Sequence, residues 1–148
     1  MNQENKEDSI SGKFALVTGA AKGIGRASAL ELAKMGVNVA INYNSSESEA
    51  SKTVSEIKSL GVDSFATQAN VGDLNQVNAM IDETLNRFSQ IDILVNNAGI
   101  IDDSLLLRMK DKAWERVIDT NLNGTFYCSR AALKFMFKSK WGRIINIG

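Results

Sequence analysis

Histidine is absent from this chain of 148 residues. Its own residues therefore supply neither a Ser-His-Asp or Cys-His nucleophile nor a histidine-ligated metal site. The single cysteine, Cys128, excludes an internal disulfide and C-x-x-C chemistry. Proline is absent too, where average usage would give about seven residues, and no function follows from that. Net charge is lacking as well: 17 Lys and Arg balance 17 Asp and Glu. No long-range pull toward nucleic acid or an anionic membrane is expected. No apolar run approaches a membrane span, and residues 1–12 form a polar segment of mixed charge without the core of a signal peptide. These absences lead us to expect a soluble cytoplasmic protein with neither nucleic acid nor membrane as partner.

What is present is ordinary globular material. Hydrophobic residues make up 44% and charged residues 23% of the chain, enough to bury a sizeable core. Short β-rich runs lie at residues 14–18, 37–43, 63–68, 91–96 and 143–147. Several are apolar at consecutive positions, as strands buried on both faces are. Helical spacing fills the intervals, with Ala50, Val54 and Ile57 on one stripe and Val77, Ile81, Leu85 and Phe88 on another. Gly36 and Gly61, each closely preceded by a lysine, suit left-handed helix ends. Ser46 with Glu49 reads as a capping box, and Asp73 reads as an N-cap. A fourth, longest helix is predicted over residues 112–138, with Val117, Ile118, Leu122 and Phe126 as its apolar face. Five strands separated by four helical crossovers predict an α/β fold with a doubly wound parallel sheet.

The most informative stretch joins the first strand to the first helix and contains Thr18, Gly19, Ala20, Ala21, Lys22, Gly23, Ile24 and Gly25. At that place free helix N–H groups and the positive end of the dipole can hold a dinucleotide pyrophosphate. Glycine is needed there because a side chain would block the turn or keep backbone and phosphate apart. The spacing T-G-x-x-x-G-x-G closely resembles the cofactor turn of the short-chain dehydrogenase/reductases. Two further motifs strengthen the resemblance: Asn96-Asn97-Ala98-Gly99 after the fourth strand, and Asn121 within Asp119-Thr120-Asn121-Leu122. Within the family, the stretches 57–62, 68–71, 91–100 and 117–122 are most similar to bacterial 3-oxoacyl-[acyl-carrier-protein] reductases, and reductases of sugars, steroids or small alcohols share parts of them.

The resemblance implies a Rossmann-like sheet in strand order 3-2-1-4-5, cut after its fifth strand. Residues 1–12 would be a tail and residues 13–148 the dinucleotide-binding portion of a single larger domain. It also implies cofactor contacts from Gly19, Ala21, Lys22, Gly23, Ile24, Gly25, Asn42, Ser45, Asn70, Val71, Asn97, Ala98 and Gly99. A carboxylate on the adenosine ribose marks NAD preference, but the second strand ends Asn42-Tyr43-Asn44-Ser45-Ser46 without an acid. Lys22 offers a cation where NADP-binding relatives often have one, so NADP(H) is expected over NAD(H).

The proton donor is another matter. In the family a tyrosine donates, a lysine four residues later lowers its pKa, and a serine orients the carbonyl. Tyr43 is followed by Glu47 and Tyr127 by Ala131, so neither fits, and of the catalytic set only Asn121 is present. Its implied role is to position a water in the proton relay. The expectation is an N-terminal fragment, inactive alone, of an NADPH-dependent reductase of 3-oxoacyl thioesters. The alternatives are a dehydrogenase of sugars or small alcohols and a non-catalytic nucleotide-binding fragment. The resemblance further implies acyl carrier protein as partner, with Lys140 in its docking surface, and a homotetramer for the intact protein. Asp102 and Asp103 read as a solvated loop rather than a metal or acid/base pair, and Cys128 as a packing residue.

Overall fold

The computed structural model describes residues 9–148. The chain runs β1 (Phe14–Val17), α1 (Gly23–Lys34), β2 (Asn38–Tyr43), α2 (Glu47–Ser59), β3 (Ser64–Gln68), α3 (Leu74–Phe88) and β4 (Ile93–Asn96). A 3-10 turn at Leu106–Arg108 leads into α4 (Asp111–Ile118), a π-helical turn (Asp119–Asn123), α5 (Gly124–Ser139) and β5 (Arg143–Asn146). All strand pairs are parallel, in the order β3-β2-β1-β4-β5. The expected α/β fold and strand order are therefore found, with strands a residue or two shorter than the apolar runs.

Alternation along the strands divides the core into two layers. Leu16, Ala40 and Leu94 face α3 and α5, where they meet Val77, Met80, Phe88, Cys128 and Ala132. Ala15, Val17, Val39, Ile41 and Val95 face α1 and α2, where they meet Ala29, Ala33, Ala50 and Ile57. Both faces of the inner strands are covered, which is why their sequences are apolar at successive positions.

Local chemistry sets the ends of the helices. The Asp73 carboxylate accepts from the backbone N–H groups of Asn75 at 2.9 Å and Gln76 at 3.3 Å, capping α3 as expected. The capping box at Ser46 does not form: its side chain makes no cap bond, and its backbone at φ −95, ψ 59 lies outside the extended geometry that aims a hydroxyl at the first turn. Glu47 and Glu49 in that turn complement the dipole instead. Gly36 and Gly61 take the left-handed conformation at φ +82 and +89. Of the expected tail, residues 1–8 lie outside the described residues. The rest docks, with Ile10 packed on the α1 layer and the Gly12 N–H donating to Gly36 O at 2.8 Å.

The long helix departs most from expectation. It is interrupted by the π turn, and its buried residues are Gly124, Cys128, Ala132 and Met136, while Leu122 and Phe126 are exposed. A π turn inserts an extra residue, which moves the inward-facing stripe out of phase with the one read upstream. The interruption falls where the helix crosses the loop after β3. There a Cβ on Gly124 would lie 2.7 Å from Val71 Cγ2, and one on Gly72 would lie 3.2 Å from the Asp119 carbonyl carbon.

Candidate functional site

The strand order reverses between β1 and β4, and a cleft of about 600 Å3 opens at the carboxyl ends of the strands beside this point. The loops after β1, β2, β3 and β4 line it, and side-chain amides and a hydroxyl lock three of the four together. Thr18 Oγ1, at the end of β1, accepts from the N–H groups of Asn97 and Ala98, both at 3.0 Å. In return Asn97 Nδ2 donates to the carbonyls of Thr18 at 3.1 Å and Gly19 at 3.0 Å. From β2, Asn42 Oδ1 accepts from Gly19 N–H at 3.2 Å, while its Nδ2 donates to Ala69 O at 3.0 Å. Asn42 is thus a buried tie between the glycine turn and the end of β3.

These ties require small residues. Gly19 takes φ +62, and a Cβ there would stand 2.9 Å from Ala98 Cα. At Gly25 a Cβ would overlap the Asn97 amide and stand 2.6 Å from Gly19 O. Gly23, at φ +61, has open space where its side chain would be. Backbone thus meets backbone on one side of the turn and solvent on the other. The first turn of α1 contains no acid, and Lys22 at its N-cap position makes no side-chain cap bond. Free N–H groups and the positive dipole end therefore face solvent, a fit for an anionic pyrophosphate.

Among the described residues lining the cleft there are two cations, Lys22 and Arg116, and no carboxylate. Tyr43 also lines it, and its phenol is raised above the ordinary value by burial, then by the charges of Glu47 and Glu83. That shift is opposite to the activation a tyrosine proton donor needs at neutral pH. Cys128 is fully buried in the α3–α5 layer, and burial pushes its thiol up to about 12. It packs and is not a nucleophile. No group of three potential metal ligands occurs among the described residues.

Of the residues named from the sequence, Gly19, Ala21, Lys22, Asn42, Ser45, Asn70, Val71, Asn97, Ala98 and Gly99 line the cleft. Gly23, Ile24 and Gly25 do not; they form the adjoining helix start, with Ile24 exposed and Gly25 buried beneath the turn. Asn121 is not on the cleft surface either. Its Oδ1 accepts from Ile100 N–H at 2.9 Å and its Nδ2 donates to Ile100 O at 3.0 Å, so its amide pairs with one residue of the loop after β4. Lys140 lies away from the cleft, beside Met136, Trp141 and Arg143. It takes a left-handed conformation at φ +55 where α5 turns into β5.

Tyr43, Asn44, Ser46, Ala69, Ile100, Ile101, Arg116 and Thr120 also line the cleft and were not assigned to it from the sequence. Ile100 follows the Asn-Asn-Ala-Gly motif directly, and Arg116 precedes Thr120 by one helical turn, so position alone could have marked both. Asp102, expected to be merely solvated, pairs with Arg116.

Residues 13–148 match the family model described as short chain dehydrogenase. The 3-oxoacyl-[acyl-carrier-protein] reductase FabG of Staphylococcus aureus is 55% identical over 135 residues, covering 91% of this chain and 55% of the relative. The 3-oxoacyl-[acyl-carrier-protein] reductase of Synechocystis is 51% identical over 138 residues, covering 93% and 56%. The chain thus spans about half the length of the curated relatives it matches. Among solved structures, a short chain dehydrogenase from Burkholderia cenocepacia in complex with NADP superposes with a TM-score of 0.89 at 35% identity, covering 95% of this chain and 57% of that one. With the sheet order, the glycine turn and these similarities together, the chain belongs to the short chain dehydrogenase family.

Proposed function

We propose that this chain forms the cofactor-binding half of an NADPH-dependent reductase that acts on a 3-oxoacyl thioester carried by acyl carrier protein. The observation that carries the cofactor reading is the charge of the cleft, which has two lysine or arginine side chains and no carboxylate among its described residues. A 2′-phosphate meets cations there, and no acid is present to accept a 2′-hydroxyl and repel that phosphate. The relatives named as 3-oxoacyl-[acyl-carrier-protein] reductases and the NADP in the Burkholderia structure support the same reading.

In this reading the α1 N-terminus and the backbone of Gly19 to Gly25 hold the pyrophosphate, with Lys22 and Ser45 near the adenosine phosphate. Asn70 and Val71 flank the adenine, and the backbone of Asn97, Ala98 and Gly99 approaches the nicotinamide side. The bound cofactor supplies the hydride. Asn121, which makes two hydrogen bonds to Ile100, takes part in placing a water of the proton relay. The family's Ser and Tyr-x-x-x-Lys are not among these 148 residues, so the chain alone binds cofactor without turning substrate over. Lys140 contributes to a basic surface for the acidic carrier, and the intact protein is a homotetramer.

Titration of the purified chain with NADPH and NADH, followed by calorimetry, tests the cofactor reading. Tighter binding of NADPH is expected, and Lys22→Glu should remove most of the preference. Equal affinity for the two, before and after substitution, would overturn it. NADPH oxidation with an acetoacetyl thioester tests the rest, since turnover by the 148-residue chain contradicts the division of labour.

A further inference from the structure

Two side chains from one helical stretch hold the loop that follows β4. Asn121, in the π turn, pairs with both the N–H and the carbonyl of Ile100. Arg116, one turn before Thr120 on α4, forms an ion pair with Asp102. Ile100, held by Asn121, and Ile101, between the two anchored residues, form part of the cleft wall, and Arg116 itself lines the cleft. No other side-chain bond to residues 99–102 occurs among the described residues.

The two anchors differ in kind. Asn121 fixes the two peptide groups that flank Ile100 by geometry. The Arg116 guanidinium, itself part of the cleft lining, fixes the far end by charge. Ile101 is 84% exposed and has no packing of its own to keep it in place. Loss of the ion pair would free the loop beyond Ile100, with one hydrogen-bonded anchor remaining.

We infer that Asp102 and Arg116 are positioning residues for the cofactor, acting as a charge latch that holds Ile100 and Ile101 as a wall of the cleft. The inference rests on the nicotinamide-cofactor reading of that cleft. It assigns the latch to the pair and not to either charge alone, so exchanging the two residues should preserve it. Arg116 has a competing role, direct attraction of a cofactor phosphate, which would make its own charge decisive wherever Asp102 stands.

Exchange of the charges separates the two. The chain is prepared unchanged, as Asp102→Arg, as Arg116→Asp, and with both substitutions. NADPH affinity is read by calorimetry and exchange of the Ile100 amide proton by NMR. Exposed ion pairs contribute modestly, so each single reversal, which also places like charges together, should weaken NADPH binding about threefold to tenfold and speed Ile100 exchange. The double exchange should restore both to within about twofold. The latch is overturned if the double exchange stays as weak as Arg116→Asp, or if Asp102→Arg strengthens binding, because Arg116 would then act directly on the ligand. It is also overturned if the reversals lower the melting temperature while affinity and Ile100 exchange stay unchanged. Failure of the unsubstituted chain to bind NADPH would refute the cofactor reading and with it the latch's role toward a cofactor; Ile100 exchange in the four proteins would still show whether the pair holds the loop.

Discussion

A single methyl group at Gly25 would enter space already filled by the Asn97 amide and by Gly19 O. Neither neighbour yields easily, since one is backbone and the other is held by two carbonyls. Overpacking of this kind costs about 1–3 kcal/mol, and here it also forces apart the two loops that shape the cleft. Gly25→Ala should therefore lower both the melting temperature and NADPH affinity, measured by calorimetry on one preparation. Gly23→Ala makes a useful contrast, because its Cβ meets nothing within 4 Å and only the positive φ is strained. Cys128 offers a second test at this scale. With the thiol held up at about 12 by burial, a thiol reagent at pH 8 should label it only when the chain opens. Between the ordinary value of 9.0 and about 12 the unfolded thiol ionises while the folded one stays protonated. Stability therefore falls as pH rises through that window, and urea midpoints at pH 8 and pH 10 should show the decline.

At the scale of elements, α3 is the helix whose start is fixed by one side chain. Asp73 is held below the ordinary carboxylate range, first by the Gln76 side chain and then by the Gln76 backbone N–H. Its capping contribution is present above the unfolded value of 3.8 and is lost as pH falls through the lower folded value. Asp73→Ala should lower the melting temperature at neutral pH, and the difference from the unsubstituted chain should shrink on acidification. The effect reaches the cleft because Gln76, bonded to Asp73, also accepts from Asn70 N–H at 2.9 Å. Elements of this kind were legible in the sequence. Asp73 stands directly before an amphipathic run, and the inner strands are apolar at successive positions because helices cover both their faces. The phase of α5 was not legible, since periodicity assumes 3.6 residues per turn throughout and the π turn at Asp119–Asn123 breaks that count. The cleft itself was read well where backbone chemistry sets the residue type, as in the glycine turn. It was read poorly where the partner is distant in sequence, as for Arg116 and Asp102, which only the folded loop brings together.

On the scale of the molecule, the surface is uneven. Trp114, Leu122, Phe126, Leu133 and Phe137, from α4 through α5, are between 52% and 83% exposed, and β5 is the outer strand of the sheet. A concentration of large apolar side chains on one side of a small protein favours association. Burying one phenylalanine contributes about 1.5–3 kcal/mol, equivalent to roughly ten- to hundredfold in an association constant. The chain should therefore self-associate at tens of micromolar in sedimentation equilibrium, and Phe137→Glu, at the most exposed of these positions, should shift it toward monomer by at least about tenfold. Phe137 does not line the cleft, so NADPH affinity should be unchanged by this substitution. A chain that stays monomeric at about ten times that concentration would show that the α4–α5 surface has too little complementarity for its exposure to drive assembly. Loss of NADPH binding in Phe137→Glu would instead show that assembly and cleft are coupled through the continuous helical stretch that carries Arg116 on α4, Asn121 in the π turn and Phe137 on α5.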